Sequence, residues 1–311
     1  MTTQSYAFTR GLDYPSIVAT SEKVAWTVDG VFADRHFDAT KPIVPESWVG
    51  THDLTFLDES AHRVLNHQRA FSYVHLFGNY EEFIPIHLTA LAQQDWHADR
   101  DRLRALVRFG EEEMKHQQLF LRTEAVLEES CGYAMGRYFG PDKERVTAFT
   151  NALMTFPPLS RSLTLLALEW GSQRHYVDSV RDHAGDRSDP LYVDVLKYHW
   201  IEENQHVKTG VLEIEQLAGE MSPADRSHAF DDILAIGGLV DETFVGQVEQ
   251  ELTTLQRVTG HALPQAEQRA LREALHRSLT AVWVDVAFNH PSFKQVAVAL
   301  SAEGAAKLGI V

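Results

Sequence analysis

The chain has 311 residues, a formal net charge of −16, and 44% hydrophobic and 10% aromatic residues. That is the composition of a folded globular protein, and the acidic balance argues against a nucleic-acid or anionic-membrane partner, each of which needs a basic face. The one cysteine, Cys131, excludes an intramolecular disulfide and any cysteine-rich zinc or iron–sulfur site.

The first stretch, "MTTQSYAFTRGLDY", has no apolar core of the kind a secretory leader carries, and no later run approaches the roughly 18–20 apolar residues of a membrane span. The expectation is a soluble, cytoplasmic protein. Residues 1–57 are rich in Asp, Pro, Gly and β-branched residues without a sustained period. They read as an irregular arm, or short elements, lying over the main body formed by residues 58–311.

From "FLDESAHRVLNHQ" onward the pattern is helical. A first helix is expected from about Glu59 to Gln94, with small or apolar residues at Ala70, Val74, Phe77, Gly78, Ile84, Leu88 and Leu91. Pro85 predicts a kink or bulge inside it, because its ring displaces a backbone hydrogen bond. A second helix is expected over Asp99 to Glu129, a shorter one from near Pro141, and a long one over Pro158 to His183. The fourth core helix opens at "SDPLYVDV", with Ser188 or Asp189 as N-cap and Pro190 at its first position, and ends near Gly219. Ser222 and Pro223 start another, and the remainder is helical too. No alternating strand series occurs. The predicted architecture is all-α: a bundle of four long helices with additional C-terminal helices and an irregular N-terminal arm.

The chemistry lies in "YHWIEENQH", residues 198–206. His199, Glu203 and His206 stand at i, i+4 and i+7 and so share about 60° of helix circumference. Glu202 lies on their flank. The second helix carries "FGEEEMKHQQLF", in which Glu113 and His116 repeat the Glu-x-x-His spacing of Glu203 and His206. The other two long helices each place a carboxylate in an apolar stretch. In "LTLLALEWGSQRHY" it is Glu169, whose burial is costly unless it is paired, for instance with Arg174, or binds a metal. In "LFGNYEEFIPIHL" it is Glu81 or Glu82. The apolar stripe includes position 81, whereas position 82 shares a more polar face with His75, Asn79 and Thr89.

Taken singly, each of these pieces could be solvated surface or satisfied core. Together they run Glu, Glu-x-x-His, Glu, Glu-x-x-His over four successive helices, the ligand order of dinuclear carboxylate centres in bundles. Two hard cations close together call for anionic oxygen donors, and four carboxylates balance two divalent ions. Iron and manganese both suit such a set.

With those residues the chain resembles the ferritin-like di-iron carboxylate superfamily over roughly residues 60–220. The run "EEFIPIHLTAL" looks like the desaturase segment Glu-Glu-x-x-Pro, whose first glutamate is the ligand, which favours Glu81. The extra histidine in His199-x-x-x-Glu203-x-x-His206 resembles the p-aminobenzoate N-oxygenase family of arylamine oxygenases. What the resemblance implies is a non-haem di-iron monooxygenase using O2. Its metals would be held by Glu81, Glu113, His116, Glu169, His199, Glu203 and His206, and its reaction would be oxidation of an amine nitrogen on a small-molecule substrate. Glu202 would support a histidine on the facing helix, His116. Alternatives within the superfamily are a C-hydroxylase, a desaturase, another di-metal oxidase or a ferroxidase. No flavin or nicotinamide fingerprint occurs, so electrons would come from an external donor of ferredoxin or flavin-reductase type; a homodimer stays open. Phe77, Phe120, Trp170 and Trp200 are candidate pocket residues, and Tyr176 and Tyr198 are the tyrosines near enough in sequence for a radical role.

Overall fold

A computed structural model describes residues 6–94, 97–140, 143–177, 181 and 188–310. Its described residues are helical, with loops and turns between and no strand among them. The helices are α1 (Tyr14–Val24), α2 (Val28–Phe32), α3 (Glu46–Val49), α4 (Glu59–Glu81), α5 (Phe83–Gln94), α6 (Arg100–Cys131), α7 (Glu144–Met154), α8 (Pro158–Tyr176), α9 (Pro190–Gly219), α10 (Pro223–Thr259), α11 (Gln265–Thr280), α12 (Val286–Phe288), α13 (Pro291–Leu300) and α14 (Ala302–Lys307).

Local chemistry sets the helix starts. Asp58, Asp99, Asp189 and Ser222 each accept a hydrogen bond from a backbone N–H of the first turn, and Pro190 and Pro223 follow two of them. Of the two cap candidates before Pro190, Asp189 is the one used. The long first helix expected over 59–94 is divided at Glu82 into α4 and α5. Pro85 then occupies the third position of α5, where a missing N–H leaves no helical bond broken. The expected helix over 158–183 ends as α8 at Tyr176, passing into a wider π-type turn at Val177; most of 178–187 lies outside the described residues.

The core of the molecule is α4 with α5, then α6, α8 and α9. Helix α4 packs on α6, α8 on α9, α6 on α9 and α5 on α8. Leu65, Phe71, Leu76, Phe77, Leu119 and Phe120 fill the space under α4 and α6. Leu163, Leu166, Ile214, Phe230 and Phe293 fill a second apolar cluster, where α8 and α9 meet the later helices. Helix α10 lies across α4 and α8, tied to α4 by a fully buried ion pair, Arg69 Nη2 to Glu251 Oε2 at 3.0 Å.

The first 57 residues hold more regular structure than their composition suggests. Helix α1 packs against both α6 and α9. Asp13 caps it, accepting from the Ser16 amide. Tyr14 donates to Glu213 Oε1 on α9, and Arg102 on α6 grips the same carboxylate at 2.7–3.2 Å. The arm is thereby fixed over the seam between two core helices.

Candidate metal centre

Helix periodicity turns His199, Glu203 and His206 of α9 inward together, as it does Glu113 and His116 of α6. The end of α4 adds Glu81 and the middle of α8 adds Glu169. All seven side chains are buried, none more than 3% exposed. Donor atoms of Glu81, His116, His199 and Glu203 lie within 4.8 Å of one another, and so do those of Glu113, His116, Glu203 and His206. Two overlapping groups of four thus share His116 and Glu203.

The individual contacts show how the groups meet. His116 Nδ1 lies 3.2 Å from Glu203 Oε1 and 3.6 Å from Glu113 Oε1. His206 Nδ1 lies 2.9 Å from Glu113 Oε1, 3.3 Å from Glu203 Oε1 and 3.6 Å from Glu169 Oε2. His199 turns the opposite nitrogen inward: its Nε2 is 3.0 Å from Glu203 Oε1 and 3.2 Å from Glu81 Oε1. Glu82 is outside this group. It is half-buried, on a pocket wall with His75 and Asn79, the polar face its position in the sequence suggests.

These atoms are short of hydrogen-bond partners. Glu81 Oε2, both oxygens of Glu113, Glu169 Oε2, Glu203 Oε1, and Nδ1 of His116 and of His206 are all buried without one. Leaving one buried polar atom unpaired costs about 1–3 kcal/mol, and seven in one place is an expensive arrangement for a protein to keep. A cation accounts for them. Four carboxylates and three imidazoles supply the anionic oxygen and neutral nitrogen donors that divalent first-row metals take, so the cluster has the donors to hold a metal.

A surrounding shell orients the histidines. His116 donates its Nε2–H to Glu202 Oε2 at 3.0 Å, the contact expected of Glu202. His206 donates its Nε2–H to Glu112 Oε2 at 3.2 Å. The two first glutamates of the Glu-Glu-x-x-His units therefore cross over, each supporting the histidine of the other helix, which leaves both Nδ1 atoms facing the cluster. Glu112 also accepts from Ser21 of α1 at 2.6 Å and pairs with Arg108 at 2.9 Å. Glu202 pairs with Lys115, whose ammonium sits 4.3 Å over the Trp26 ring. Glu112 is not among the residues expected from the sequence, although its doublet with Glu113 mirrors Glu202 and Glu203; Ser21, Trp26 and Lys115 carry no such signal.

Charge follows from this packing. Burial raises the Glu81 carboxyl well above the usual carboxylate range, reinforced by Glu113. Burial opposes protonation of His116, but Glu113, Glu202 and Glu203 outweigh it and hold its pKa well above the usual histidine range. His206 is raised likewise against burial by Glu203, Glu112 and Glu113. His199 goes the other way, lowered by burial and by His116, His206 and His175. Burial opposes ionisation of Glu112 too, yet contacts with His206, Ser21 and Arg108 bring its pKa down to about 2.

Aromatic rings close the centre. Phe109 stacks on His206 with centroids 3.9 Å apart, and Phe77 and Phe120 meet the His199 ring at 5.3 and 5.1 Å. Trp170 and Trp200, also candidates, turn elsewhere: Trp170 onto His290 and Phe293, Trp200 onto Tyr176. Tyr198 packs against Trp26. A pocket of about 210 Å³ is lined by Gly78, Asn79, Glu82, Gln117 and Phe120, the last of which also meets His199. A larger, apolar cavity of about 500 Å³ lies beyond Phe77, lined by Tyr80, Ala167, Ile236, Phe244 and Trp283.

A scan against models of protein families found no match, and no curated protein matched the chain. Among the described residues, no helix is long and apolar enough to cross a membrane.

Proposed function

We propose that the cluster holds two iron ions and that the protein is an oxygenase, passing an oxygen atom from O2 to the nitrogen of a small amine. The observation that carries this reading is His199. It stands with Glu81, His116 and Glu203 in one four-donor group, adding a third imidazole to the six-ligand pattern, as in the arylamine N-oxygenases that the sequence resembles. Glu81, Glu113, His116, Glu169, His199, Glu203 and His206 would be the ligands.

When bound, an iron pair supplies the reductive activation of dioxygen, with electrons from an outside donor. The protein's own part is to position and to exclude. Glu112 and Glu202 fix the proton on Nε2 of His206 and His116, so that the Nδ1 lone pairs are presented inward. Phe77, Phe109 and Phe120 keep bulk water from the imidazoles. A substrate would approach through the pocket behind Phe120, where Gly78 leaves room beside the end of α4.

The test begins with metal content. Anaerobic loading with ferrous iron should give close to two ions per chain, against one for a mononuclear site. The loaded, reduced protein is then mixed with O2 and a panel of aryl and alkyl amines, and products are read by mass spectrometry. Hydroxylamine or nitro products are expected. Oxidation of carbon alone would sink the N-oxygenase assignment and leave a di-metal C-oxidase; preferential activity with manganese would change the metal.

A further inference from the structure

The outward face of α6 carries an anomaly unrelated to the cluster. Opposite the line of Glu113 and His116, Val107, Met114 and Leu121 are 63%, 50% and 64% exposed. Spaced by sevens, they lie within about 40° of one another at the middle of the solvent side of the helix. The half-buried Leu103 and the exposed Ala125 fall in the same sector and extend the row at either end. Isolated exposed apolar residues are ordinary. A heptad-spaced row at the centre of an outer face is the pattern of a helix seam awaiting a second helix.

The order of residues along the row says which helix. It is symmetric about Met114: Val107 and Leu121 stand seven residues to either side, Leu103 and Ala125 eleven. An antiparallel copy of α6 with Met114 on a twofold axis therefore sets apolar against apolar along the whole row. Val107 of each copy faces Leu121 of the other, and the large Leu103 faces the small Ala125.

The charges at the two ends fit the same partner. Exposed Arg100 opens α6, and Glu129, exposed and 3.7 Å from the His36 ring, stands in its last turn, which holds no basic residue. Apart from Asp99 and Asp101, that order runs against the helix dipole, which favours acidic residues first and basic residues last. In the antiparallel pair, Arg100 of one copy comes level with Glu129 of the other, on the same side of the seam. Two further cations of this face are engaged within the chain, on the flank covered by α1 and α2. Arg104 pairs with Glu22 of α1 at 2.6 Å, and Arg122 lies 5.8 Å from the Phe32 ring of α2.

We infer that the protein forms a twofold dimer through the outer face of α6, with Met114 at the axis. The contact is isologous, so it closes on itself and forms no fibre. It lies on the back of the helix that carries Glu113 and His116, and it stands whatever metal or reaction the cluster serves.

Light scattering on the eluting full chain should give twice 35.1 kDa. In a Cys131→Ser background, Met114→Cys should convert to a covalent dimer on mild oxidation, seen on a non-reducing gel. Met114→Glu and Met114→Lys each place two like charges on the axis. Either variant alone should shift to the mass of one chain with helical circular dichroism unchanged, and mixing the two should restore the dimer. A wild-type chain that elutes as a monomer overturns the inference. So does a dimer that survives Met114→Glu and gives no Met114→Cys cross-link, since another face would then hold it.

Discussion

The two inward faces of α6 and α9 begin from nearly the same text and end differently. Both carry Glu-Glu-x-x-His, 112–116 on one and 202–206 on the other, and their first glutamates cross over to each other's histidines at 3.2 and 3.0 Å. Four residues before the second glutamate the symmetry stops: α9 has His199 and α6 has Phe109. The histidine brings a third ring nitrogen to the Glu81 side of the cluster; the phenylalanine stacks on His206 and seals the Glu113 side. A near-symmetric scaffold thus builds an asymmetric centre, nitrogen-richer and bordered by a pocket through Phe120 on one side, apolar and closed on the other. In the proposed reading the His199 side is where substrate and oxygen chemistry would meet.

The largest effect should come from what the halves share. Glu203 belongs to both four-donor groups, so Glu203→Ala should take the metal-to-protein ratio from near two to near zero by elemental analysis. Retention of one tightly held ion would show two independent sites instead. Next, His199→Phe makes α9 copy α6. We expect occupancy near one, loss on the Glu81 side, and disappearance of any N-oxygenated product. Full occupancy with unchanged product in that variant would remove His199 from the ligand set and with it the basis for choosing nitrogen over carbon.

Much of this was legible before the structure, because it depends on local geometry. Cap residues such as Asp189 and Ser222 act within one turn, and the i, i+3, i+4 and i+7 spacing fixes which carboxylates and imidazoles share a face. The apolar stripe favoured Glu81 over Glu82, although the separation from the next helix did not distinguish them, and the partner of Glu202 followed from the family resemblance. What stayed hidden depends on contacts far apart in sequence. Ser21 reaches Glu112 across 91 residues, from an arm whose composition gave no periodic signal. Glu112 reads as ordinary acidic surface until its mirror image is seen. Trp170 and Trp200 sit on the same two helices as Glu169 and Glu203, yet their rings leave the centre, since residue spacing says which face a ring starts from and not which neighbour leaves room for it.

The supporting glutamates test the symmetric part of the comparison. Glu112→Gln and Glu202→Gln should each weaken metal binding by roughly 10–100-fold, since the imidazole loses the carboxylate that fixes its tautomer. Titration with cobalt(II), followed spectroscopically, measures it; a loss in only one variant would mean that one histidine is not a ligand. Proton release sharpens the same contrast. The metal-free protein holds protons on His116 and His206 to unusually high pH, because their carboxylate neighbours outweigh burial, whereas His199 is neutral. Metal must displace those protons, so affinity should rise with pH until the raised histidine values are passed. Loading near neutral pH should release protons, those of His116 and His206 together with any that burial holds on the Glu81 carboxyl, read with an indicator dye. Metal uptake that is independent of pH between 6 and 8, a window taken as roughly one unit around neutrality, would contradict this.

The smallest effect belongs to Phe109, the apolar counterpart of His199. If its task is only to cover His206, Phe109→Leu should leave the metal ratio unchanged and lower stability by about 1 kcal/mol, from lost ring stacking and a small void. Thermal unfolding of the metal-free chain would record that as a shift of a few degrees at most. The loaded protein should bleach its His206-side signal no faster than wild type if Phe109 is merely packing. It should do so faster, and show exchange of solvent into the imidazole environment, if the ring is the water barrier assigned to it. A variant with neither change would mean that the closed side of the centre is held shut by α1 and Glu112 rather than by the aromatic that mirrors His199.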